Sequence, residues 1–597
     1  MSDQGARAGG PDAAADRQLA RRASEAIERL ERELHRVDLD RLAAVGLALA
    51  VLASGVLLYH LTRATSFWGD DWAWITTRRG NHIGTFLAPY DGHLSVLPIV
   101  IYRLMFAAFG IDSYAPYRVL VIALSLIVGL LAFEYTRHRV NDFLAMLVAA
   151  LVLFVGPGWQ DTMWAFQIGW VLALGLGIAA LLLLDRRTLM TDVLACALTF
   201  GSICSTSFGV AFAVGIAVDV ALARRRWRDA WIPAIPLLLY VIWALHYHPT
   251  GINWSEITLV PGNLAQTFAG GAAGIVGLSG ATPVDPTGTT LTFGGPLIAL
   301  LAIVAVRASL ARRFPTRALS LLVVLVVFSL LTTLGRAFET PLVSRYVYPD
   351  CVLVALFVVE LARGVKPSRA AQLGLAVLAL AAIVANVGVL RTAGGYLRQV
   401  GAETDADVAA LDLGEGRIAP GYVATQLPDY PFVAITAGGY FAAKHALGTP
   451  ADSIATLAHT QSAARTTADR ELIDERAIVL SPGPSAAAAG GKAPAIGASS
   501  GGTASSVGAC SSFAPAMALA PGASSSVSLS LVPGVVRVTA GDGPITVSAR
   551  RFGPALTALG TIGPNRSAYV LVRRDAAPQP WVLQLQGAAT TRSCTLR

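Results

Sequence analysis

Two adjacent carboxylates stand among three tryptophans in the segment 67–74, which reads FWGDDWAW. The preceding residues 42–61 are apolar over a length that can cross a bilayer. Tryptophan is common where a membrane meets water, whereas an ionised pair beside hydrocarbon is costly and usually functional. Asp70 and Asp71 are therefore candidates for proton transfer at a membrane surface. A solvated loop, or the cap of a short helix over 71–78, is the structural alternative.

Two later loops on the same predicted side carry further polar residues. Asp161 lies among aromatic and amide side chains in 156–167 (GPGWQDTMWAFQ), and Arg336 and Arg345 lie in 335–346 (GRAFETPLVSRY). A planar guanidinium fork matches two phosphate oxygens at once. These loops therefore predict a site for a phosphate group, although a plain loop role for Asp161 and snorkelling of the arginines to the interface are the alternatives.

The loop after the first apolar segment is unusually long, at about 62–116, and it contributes weaker candidates for phosphate binding. His93 belongs to the sequence Asp91-Gly92-His93, with a structural hydrogen-bonding role as its alternative. Arg103 lies in the apolar stretch 94–109, which predicts a helix in the membrane interface.

Composition places the chain among polytopic membrane proteins. Of its 597 residues, 54% are hydrophobic and 14% are charged, compared with about 25% charged in soluble domains. The net charge of +8 does not indicate a nucleic-acid partner, because the basic residues cluster in short runs between apolar segments, as membrane topology requires.

Eleven apolar segments are predicted to span the membrane: 42–61, 117–135, 143–156, 168–184, 192–206, 209–223, 231–247, 296–311, 318–334, 347–362 and 371–390. The basic runs fall in alternate loops, which places the N-terminus in the cytoplasm and the carboxylate loops outside. The Gly-rich segment 263–280 is read as a re-entrant or interfacial element on the outer face.

The chain is thus expected to be a polytopic α-helical membrane protein with an extracytoplasmic C-terminal region. Its five expected parts are a cytoplasmic helix (1–40), a transmembrane domain (41–390), a mixed α/β region (391–482), a low-complexity linker (483–506) and a β-sandwich-like domain (507–597). Cys510 and Cys594 lie at the two ends of the last part, and we expect a disulfide between them in an oxidising compartment.

These residues resemble type C glycosyltransferases, the polytopic enzymes that use polyprenyl-phosphate-linked sugars. Asp70-Asp71-Trp72 is similar to the acidic DDx motif in the first outer loop of that superfamily. Asp161 occupies a position where several members carry another acidic residue. Ser344-Arg345-Tyr346 resembles the stretch whose arginine grips the lipid phosphate. The likeness covers about 42–390 and is strongest to the actinobacterial branch.

The resemblance implies an inverting sugar transfer with two kinds of carboxylate. Asp70 or Asp71, with a slight preference for Asp71, would deprotonate the acceptor hydroxyl, and Asp161 would assist. Asp71 and Asp161 would also provide carboxylate ligands for a divalent cation, Mg²⁺ or Mn²⁺; no other cofactor is expected.

The resemblance also implies the partners: a polyprenyl-phosphate-linked sugar, membrane lipid, and a glycan, lipid or protein acceptor of the cell envelope. Arg345, followed by Arg336, would stabilise the departing phosphate, and His93 and Arg103 would help to bind the donor. The expected location is the plasma membrane. The HPPL motif of some branches is replaced here by DGHLSVLP (91–98), which leaves the sugar and the acceptor open.

Two other functions remain open from the sequence. A transporter or flippase for a lipid-linked glycan would need polar residues inside the spans, where we identify only Asp219 and Glu134, both near span ends. A non-catalytic scaffold for envelope assembly would depend on residues 391–597 and not on the acidic pair.

Overall fold

The computed structural model describes residues 39–224, 227–249, 251–279, 290–310, 314–336, 339–424, 434–482, 496–498, 517–518, 526–587 and 589–594. The chain divides into two compact units, which are treated separately below. Unit 1 comprises Met1–Leu61, Leu87–Pro98 and Val119–Ala393, and unit 2 comprises Thr62–Phe86, Ile99–Arg118 and Gly394–Arg597.

The described residues are mostly helical. In chain order the helices are α1 (Leu39–Leu61), α2 (Asp70–Thr77), α3 (Ile83–Leu87), α4 (Val96–Phe109), α5 (Ala115–Arg137), α6 (Asp142–Leu153), α7 (Trp159–Met163), α8 (Ile168–Leu184), α9 (Leu189–Ile203), α10 (Phe208–Asp219), α11 (Trp231–Tyr247), α12 (Val260–Ile275), α13 (Thr290–Leu310), α14 (Thr316–Gly335), α15 (Ser344–Leu361), α16 (Arg369–Leu413), α17 (Ala437–Leu447), α18 (Ile454–Leu457) and α19 (Ser462–Asp474).

Every predicted span falls on one of these helices. Five stretches within the described residues are long and apolar enough to cross a bilayer: Arg41–Leu61, Ala115–Arg137, Ala165–Leu184, Thr316–Gly335 and Arg369–Leu413. The other predicted spans correspond to shorter helices or, for α15, to an 18-residue helix that carries charged residues. The coarse prediction of a mostly helical chain, with several helices long and apolar enough to span a membrane, is therefore confirmed.

Local sequence explains where several helices of unit 1 begin. The side chain of Asn141 accepts a hydrogen bond from the backbone N–H of Leu144 at 2.9 Å and caps α6. Thr188 and Thr191 form a reciprocal capping box at the start of α9. Such caps satisfy N–H groups that have no partner in the first helical turn.

Helices α14 and α15 determine where the charged groups of unit 1 lie. Arg317 is in the first turn of α14 and Arg336 directly follows its last residue. Arg345 is in the first turn of α15 and Glu360 is in its last. The backbone between the two arginines of α14 rises about 28 Å, at about 1.5 Å per residue. This length is close to the hydrocarbon thickness of a bilayer, about 30 Å.

The Gly-rich segment forms α12, which packs against α15. A Cβ atom at Gly271 would lie 2.9 Å from the backbone oxygen of Asp350, and one at Gly274 would lie 2.5 Å from Sγ of Cys351. The two helices therefore approach at a distance that only glycine allows. The segment predicted as re-entrant or interfacial forms a helix over 260–275, and its placement relative to the membrane stays a prediction.

The strands belong to unit 2 and form two larger sheets. They are β1 (Val423–Ala424), β2 (Ile435–Thr436), β3 (Ile478–Ser481), β4 (Ile496–Ala498), β5 (Met517–Ala518), β6 (Ser526–Leu531), β7 (Gly534–Ala540), β8 (Ile545–Arg550), β9 (Thr557–Ile562), β10 (Ser567–Val572), β11 (Trp581–Gln586) and β12 (Ala589–Cys594). The orders are β3-β10-β7-β12-β5 and β4-β6-β11-β8-β9, with antiparallel pairing throughout, and β1 pairs with β2.

The two larger sheets share one hydrophobic core, to which residues of α16, α18 and α19 also contribute. Buried and less buried residues alternate along β10 and β11, as expected for strands with one covered face. This confirms the strand-rich C-terminal region that the alternating sequence predicts.

The strand-rich part begins earlier than the sequence suggests. Strand β3 lies before the predicted linker 483–506, and it extends its sheet by antiparallel pairing with β10. Strand β4 lies inside that linker and pairs with β6. The rest of the linker lies outside the described residues, as do Cys510 and most of the predicted helix 1–40. The disulfide from Cys510 to Cys594 stays a prediction.

A buried carboxylate connects α19 to the loop that follows β8. Asp469 accepts backbone hydrogen bonds from Arg551, Phe552 and Gly553, each at 2.8 Å. Hydrogen bonds to a charged acceptor are stronger than neutral ones. Asp469 therefore fixes this loop against the helix.

We predict that Asp469→Ala lowers the stability of the strand-rich region by about 3 kcal/mol, because it leaves buried N–H groups without an acceptor. Pulse proteolysis across a urea series measures this change. Asp542→Ala, in an exposed turn, is the control and should leave the midpoint unchanged. Equal midpoints for the Asp469 variant and the wild type would show that the three bonds do not stabilise this region.

Candidate functional site

In unit 1, His93 lies in a tight turn that forms one part of the candidate site. The backbone N–H of Tyr90 donates to the carbonyl of His93 at 3.1 Å, and the reverse bond is 2.9 Å. The two residues between them, Asp91 and Gly92, have φ of 51° and 77°. Aspartate followed by glycine suits a turn in which both central residues have positive φ. The local sequence therefore builds the turn.

Arg336 binds two residues of this turn, Asp91 and His93. Its Nη1 lies 2.6 Å from Oδ2 of Asp91, and its Nη2 donates to the carbonyl oxygen of Asp91 at 2.6 Å. Nη2 also lies 3.0 Å from Nε2 of His93. Since a guanidinium can only donate, Nε2 is the acceptor, and the proton of the neutral ring is on Nδ1. Nδ1 lies 2.9 Å from Oγ of Ser207, which completes the arrangement.

The environment of His93 keeps its ring neutral. Burial, reinforced by the charge of Arg336, lowers the pKa of His93 from 6.5 to about 3, although Asp91 opposes the shift. His93 therefore acts as a fixed hydrogen-bond acceptor for Arg336 at neutral pH. It does not add a second positive charge.

Arg345 lies in the same cluster and is paired with Glu339. Its guanidinium donates to one carboxylate oxygen of Glu339, and the hydroxyl of Tyr346 donates to the other. Arg336 is 4.0 Å from Glu339, so this carboxylate lies between two guanidinium groups. We call Asp91, His93, Arg336, Glu339 and Arg345 the arginine cluster.

Helix α7 is held against the start of α15 beside this cluster. The backbone N–H of Arg345 donates to Oε1 of Gln160 at 3.2 Å, and the backbone N–H of Gln160 donates to Oγ of Ser344 at 3.0 Å. A Cβ atom at Gly158 would lie 2.6 Å from Cβ of Tyr348. The absence of a side chain at Gly158 thus allows the close approach.

The next residue of α7, Asp161, is fully buried. Neither carboxylate oxygen has a hydrogen-bond partner within the described part of the chain. Burial raises the pKa of Asp161 well above its usual value, and the charge of Arg345 only partly offsets this. A buried carboxyl without partners is costly, and such groups concentrate at functional sites.

Asp70 and Asp71 belong to unit 2 and begin helix α2. Asp71 is fully buried, and its Oδ1 accepts a hydrogen bond from the hydroxyl of Tyr102 at 2.7 Å. Its Oδ2 makes a longer contact of 3.4 Å with the backbone N–H of Trp68. Asp70 is only partly buried and is therefore the more accessible of the two. Gly69 is the N-cap residue of α2 and, within the described residues, no side chain caps the helix by a hydrogen bond, so the capping alternative is not realised.

Arg103, also in unit 2, has its guanidinium occupied by the protein. It donates to the backbone carbonyl of Arg79 and, at 2.6 Å, to Oδ1 of Asn81. This arrangement fastens the loop after α2 to α4. The predicted role of Arg103 in binding a donor phosphate stays a prediction, and the arginine cluster does not require it.

The structure thus brings together four of the predicted residues in unit 1: His93, Asp161, Arg336 and Arg345. Among the described residues, no group of three or more His, Cys, Asp or Glu side chains is placed to hold a metal ion. Asp71 and Asp161 belong to different units. The expected Mg²⁺ or Mn²⁺ therefore stays a prediction.

Two contributors to these arrangements were not identified from the sequence. Tyr102 lies in an apolar helix, where its hydroxyl needs a partner, and this was the available signal for its bond to Asp71. Glu339 stands between two arginines in a short loop. The opposite charges at this spacing indicate that Glu339 forms an ion pair, but they do not show which of the two arginines is its partner.

No protein-family model matches the chain, and no curated protein matches it either.

We predict that Asp161→Asn raises the thermal midpoint of the purified protein at pH 7.5. Because the folded state raises the pKa of this carboxyl, its stabilising protonated form is lost as pH increases. The gain should disappear as pH falls toward the usual aspartate range, about 4. Differential scanning fluorimetry in detergent measures both midpoints, with Asp542→Asn as the control. A variant that is less stable than the wild type at pH 7.5 would contradict this assignment.

A second pH effect follows from His93, whose pKa is lowered in the folded state. The stability that the neutral His93 ring contributes to the folded state is present above pH 6.5 and is lost as pH falls from 6.5 toward 3. Relative to His93→Gln, the wild type should lose about 1.4 kcal/mol of stability per pH unit below pH 6. Chemical denaturation at several pH values measures the difference. A difference that does not change between pH 7 and pH 4.5 would contradict the neutral ring.

Proposed function

We propose that the protein is an inverting glycosyltransferase of the cell envelope. It would move a sugar from a polyprenyl-phosphate donor to a glycan, lipid or protein acceptor on the outer face of the plasma membrane. In this proposal the eleven apolar segments all cross the bilayer and the N-terminus is cytoplasmic.

The arginine cluster is the observation that carries the proposal. Two guanidinium groups flank one carboxylate, Glu339, at a single end of the helices of unit 1. A donor phosphate can take the place of that carboxylate, because guanidinium binds phosphate and carboxylate with the same two-point geometry. Arg345 would receive the phosphate, and Arg336 would support it while it also holds the turn at His93.

The reaction needs both an acid–base group and a cationic group. The acceptor oxygen would attack the anomeric carbon of the sugar as its proton passes to a carboxylate. The bond between that carbon and the phosphate oxygen would break, and polyprenyl phosphate would leave with its electron pair. Positive charge near the leaving oxygens lowers the barrier, because negative charge develops there.

We assign the proton to Asp70 rather than to the initially favoured Asp71. Asp70 is the more accessible carboxylate, whereas Asp71 is buried and bonded to Tyr102. In this assignment Asp71 is a positioning residue that fixes the start of α2. A general base of this kind contributes about 10²–10⁴-fold to a rate.

Asp161 would assist from beside Arg345. A carboxyl that stays protonated can donate a hydrogen bond to a phosphate oxygen, and the raised pKa of Asp161 favours that form. If a divalent cation binds instead, the same carboxyl would be a ligand in its ionised form.

The charged ends of α14 support the proposed orientation. Arg317 and Arg336 are separated by about 28 Å of helix, and the loops near Arg317 carry the basic runs. By the positive-inside rule those loops face the cytoplasm. The arginine cluster would then face outward, where lipid-linked donors are consumed.

Transport of a lipid-linked glycan is the second candidate function, and one residue favours it. Asp350 lies within the predicted span 347–362 and is buried, so the expectation of apolar span interiors apart from Asp219 and Glu134 was incomplete. Its Oδ1 has no hydrogen-bond partner among the described residues. Ionisable residues inside spans often line transport paths.

We predict that Asp70→Asn lowers sugar transfer at least about 100-fold, because the acceptor loses its base. Arg345→Gln should lower transfer strongly, and Arg345→Lys should recover part of it by restoring the charge without the fork. The assay follows radiolabel from a panel of polyprenyl-phosphate sugars into envelope acceptors in purified membranes.

Arg228→Gln, at an exposed position among the basic runs, is the control and should retain wild-type transfer. If the Asp70, Asp71 and Arg345 variants all retain full activity, the transferase proposal is wrong. If no donor in the panel supports transfer but Asp350→Asn abolishes glycan movement across vesicles, the transport function is favoured.

A further inference from the structure

A second polar cavity lies in unit 1, among the basic runs and away from the arginine cluster. Its volume is about 730 Å³, within the range of about 300–1,000 Å³ of small-molecule sites. It is lined by the ends of α5, α8, α10 and α14 and by the residues that follow α5, α8 and α15. The transferase proposal makes no use of it.

Two buried arginines, Arg139 and Arg317, line this cavity. Arg139 bonds to Glu360 at 2.8 Å and to Asp185 at 2.7 Å. Arg317 bonds to the other oxygen of Asp185 at 2.7 Å and forms an ion pair with Asp219 at 3.2 Å. One carboxylate thus joins two guanidinium groups, and each guanidinium has a second, buried carboxylate behind it.

Three further arginines line the cavity without such partners. Within the described residues, the side chains of Arg186, Arg187 and Arg363 make no hydrogen bond or ion pair, and all three are exposed. The network of Arg139 and Arg317 holds three carboxylates and two guanidinium groups, so the three further arginines leave an excess of two positive charges. Glu134, which also lines the cavity, is paired with Arg137 at 3.5 Å.

Apolar side chains also line the cavity. They include Leu131 and Ala179, together with Leu182 and Leu183, on α5 and α8. A ligand that satisfies both the charged and the apolar lining has an anionic head and a hydrocarbon tail. Lipids with a phosphate headgroup have this chemistry, and guanidinium binds phosphate by charge-assisted hydrogen bonds.

We propose that this cavity binds the phosphate headgroup of an anionic lipid, with the phosphate between Arg186 and Arg363 and the lipid tail against α5 and α8. Such a site recognises the lipid of one leaflet by its charge. The proposal does not rest on the transferase function and makes no use of the arginine cluster.

The test is a titration of the purified full chain in detergent with dioctanoyl phosphatidic acid, with bound lipid counted by native mass spectrometry. We expect one tight site per chain and a loss of affinity of about tenfold or more in Arg186→Gln/Arg363→Gln, since two charge-assisted contacts are removed. Arg186→Lys/Arg363→Lys should retain most of the affinity, because the charge is kept. This variant shows that substitution at the two positions does not by itself prevent lipid binding.

The matched control is Arg228→Gln/Lys366→Gln, which removes the same charge from exposed positions that do not line the cavity. It should bind phosphatidic acid as the wild type does. Equal loss in both glutamine variants would reduce the effect to net charge and overturn the proposal. Dioctanoylglycerol or inorganic phosphate binding as tightly as phosphatidic acid would also overturn it, since either result removes the need for a joined head and tail.

Discussion

Arg317 and Arg336 lie at opposite ends of α14, and each is held by carboxylates from other elements. The pairing of charges at these helix ends is the constraint on which the rest of unit 1 depends. Burying an unpaired guanidinium costs several kcal/mol, whereas a well-bonded pair recovers much of that cost. Asp185 and Asp219 at one end, and Asp91 and Glu339 at the other, therefore fix which segments meet α14.

The charged side chains of unit 1 differ in how completely they are paired within the protein. Some have buried partners, and others have contacts that a ligand can replace. Arg139 is paired inside the protein with both Glu360 and Asp185. Arg345 is also paired, but its partner Glu339 lies on a short loop and shares the hydroxyl of Tyr346. Asp161 accepts no hydrogen bond from the described residues. The outward-facing end proposed for unit 1 thus holds exchangeable and incomplete contacts, which suits binding better than stability.

Periodicity and hydropathy were enough to predict the elements but not the contacts between them. The eleven apolar segments are helices, and the alternating C-terminal runs are strands. Both could be predicted because the spacing of apolar residues within a segment shows which of its faces is buried. The pairing of Arg336 with His93 joins residues far apart in the chain, and only the tertiary fold determines it. Likewise, Asp70 and Asp71 are adjacent and chemically identical, so the sequence could not show that only Asp71 is fully buried beneath Tyr102.

Hydropathy did not identify the contact between α12 and α15. Asp350 was overlooked inside a predicted span, and the segment of α12 was predicted only as a re-entrant or interfacial element. Gly271 lies against the carbonyl of Asp350. Helices α12 and α15 therefore associate through the close approach that small residues allow, and not through large apolar side chains. A weakly apolar helix such as α12 is stabilised little by contact with lipid, so its stability depends on packing against α15.

The glycine contacts of α12 with α15 have a consequence for biosynthesis. Helix α12 ends at Ile275, but its main partner begins only at Ser344. During synthesis the glycine face of α12 leaves the ribosome well before the surface that covers it. The final position of α12 is therefore settled only after α13, α14 and α15 have followed, so the order of translation delays assembly at this interface.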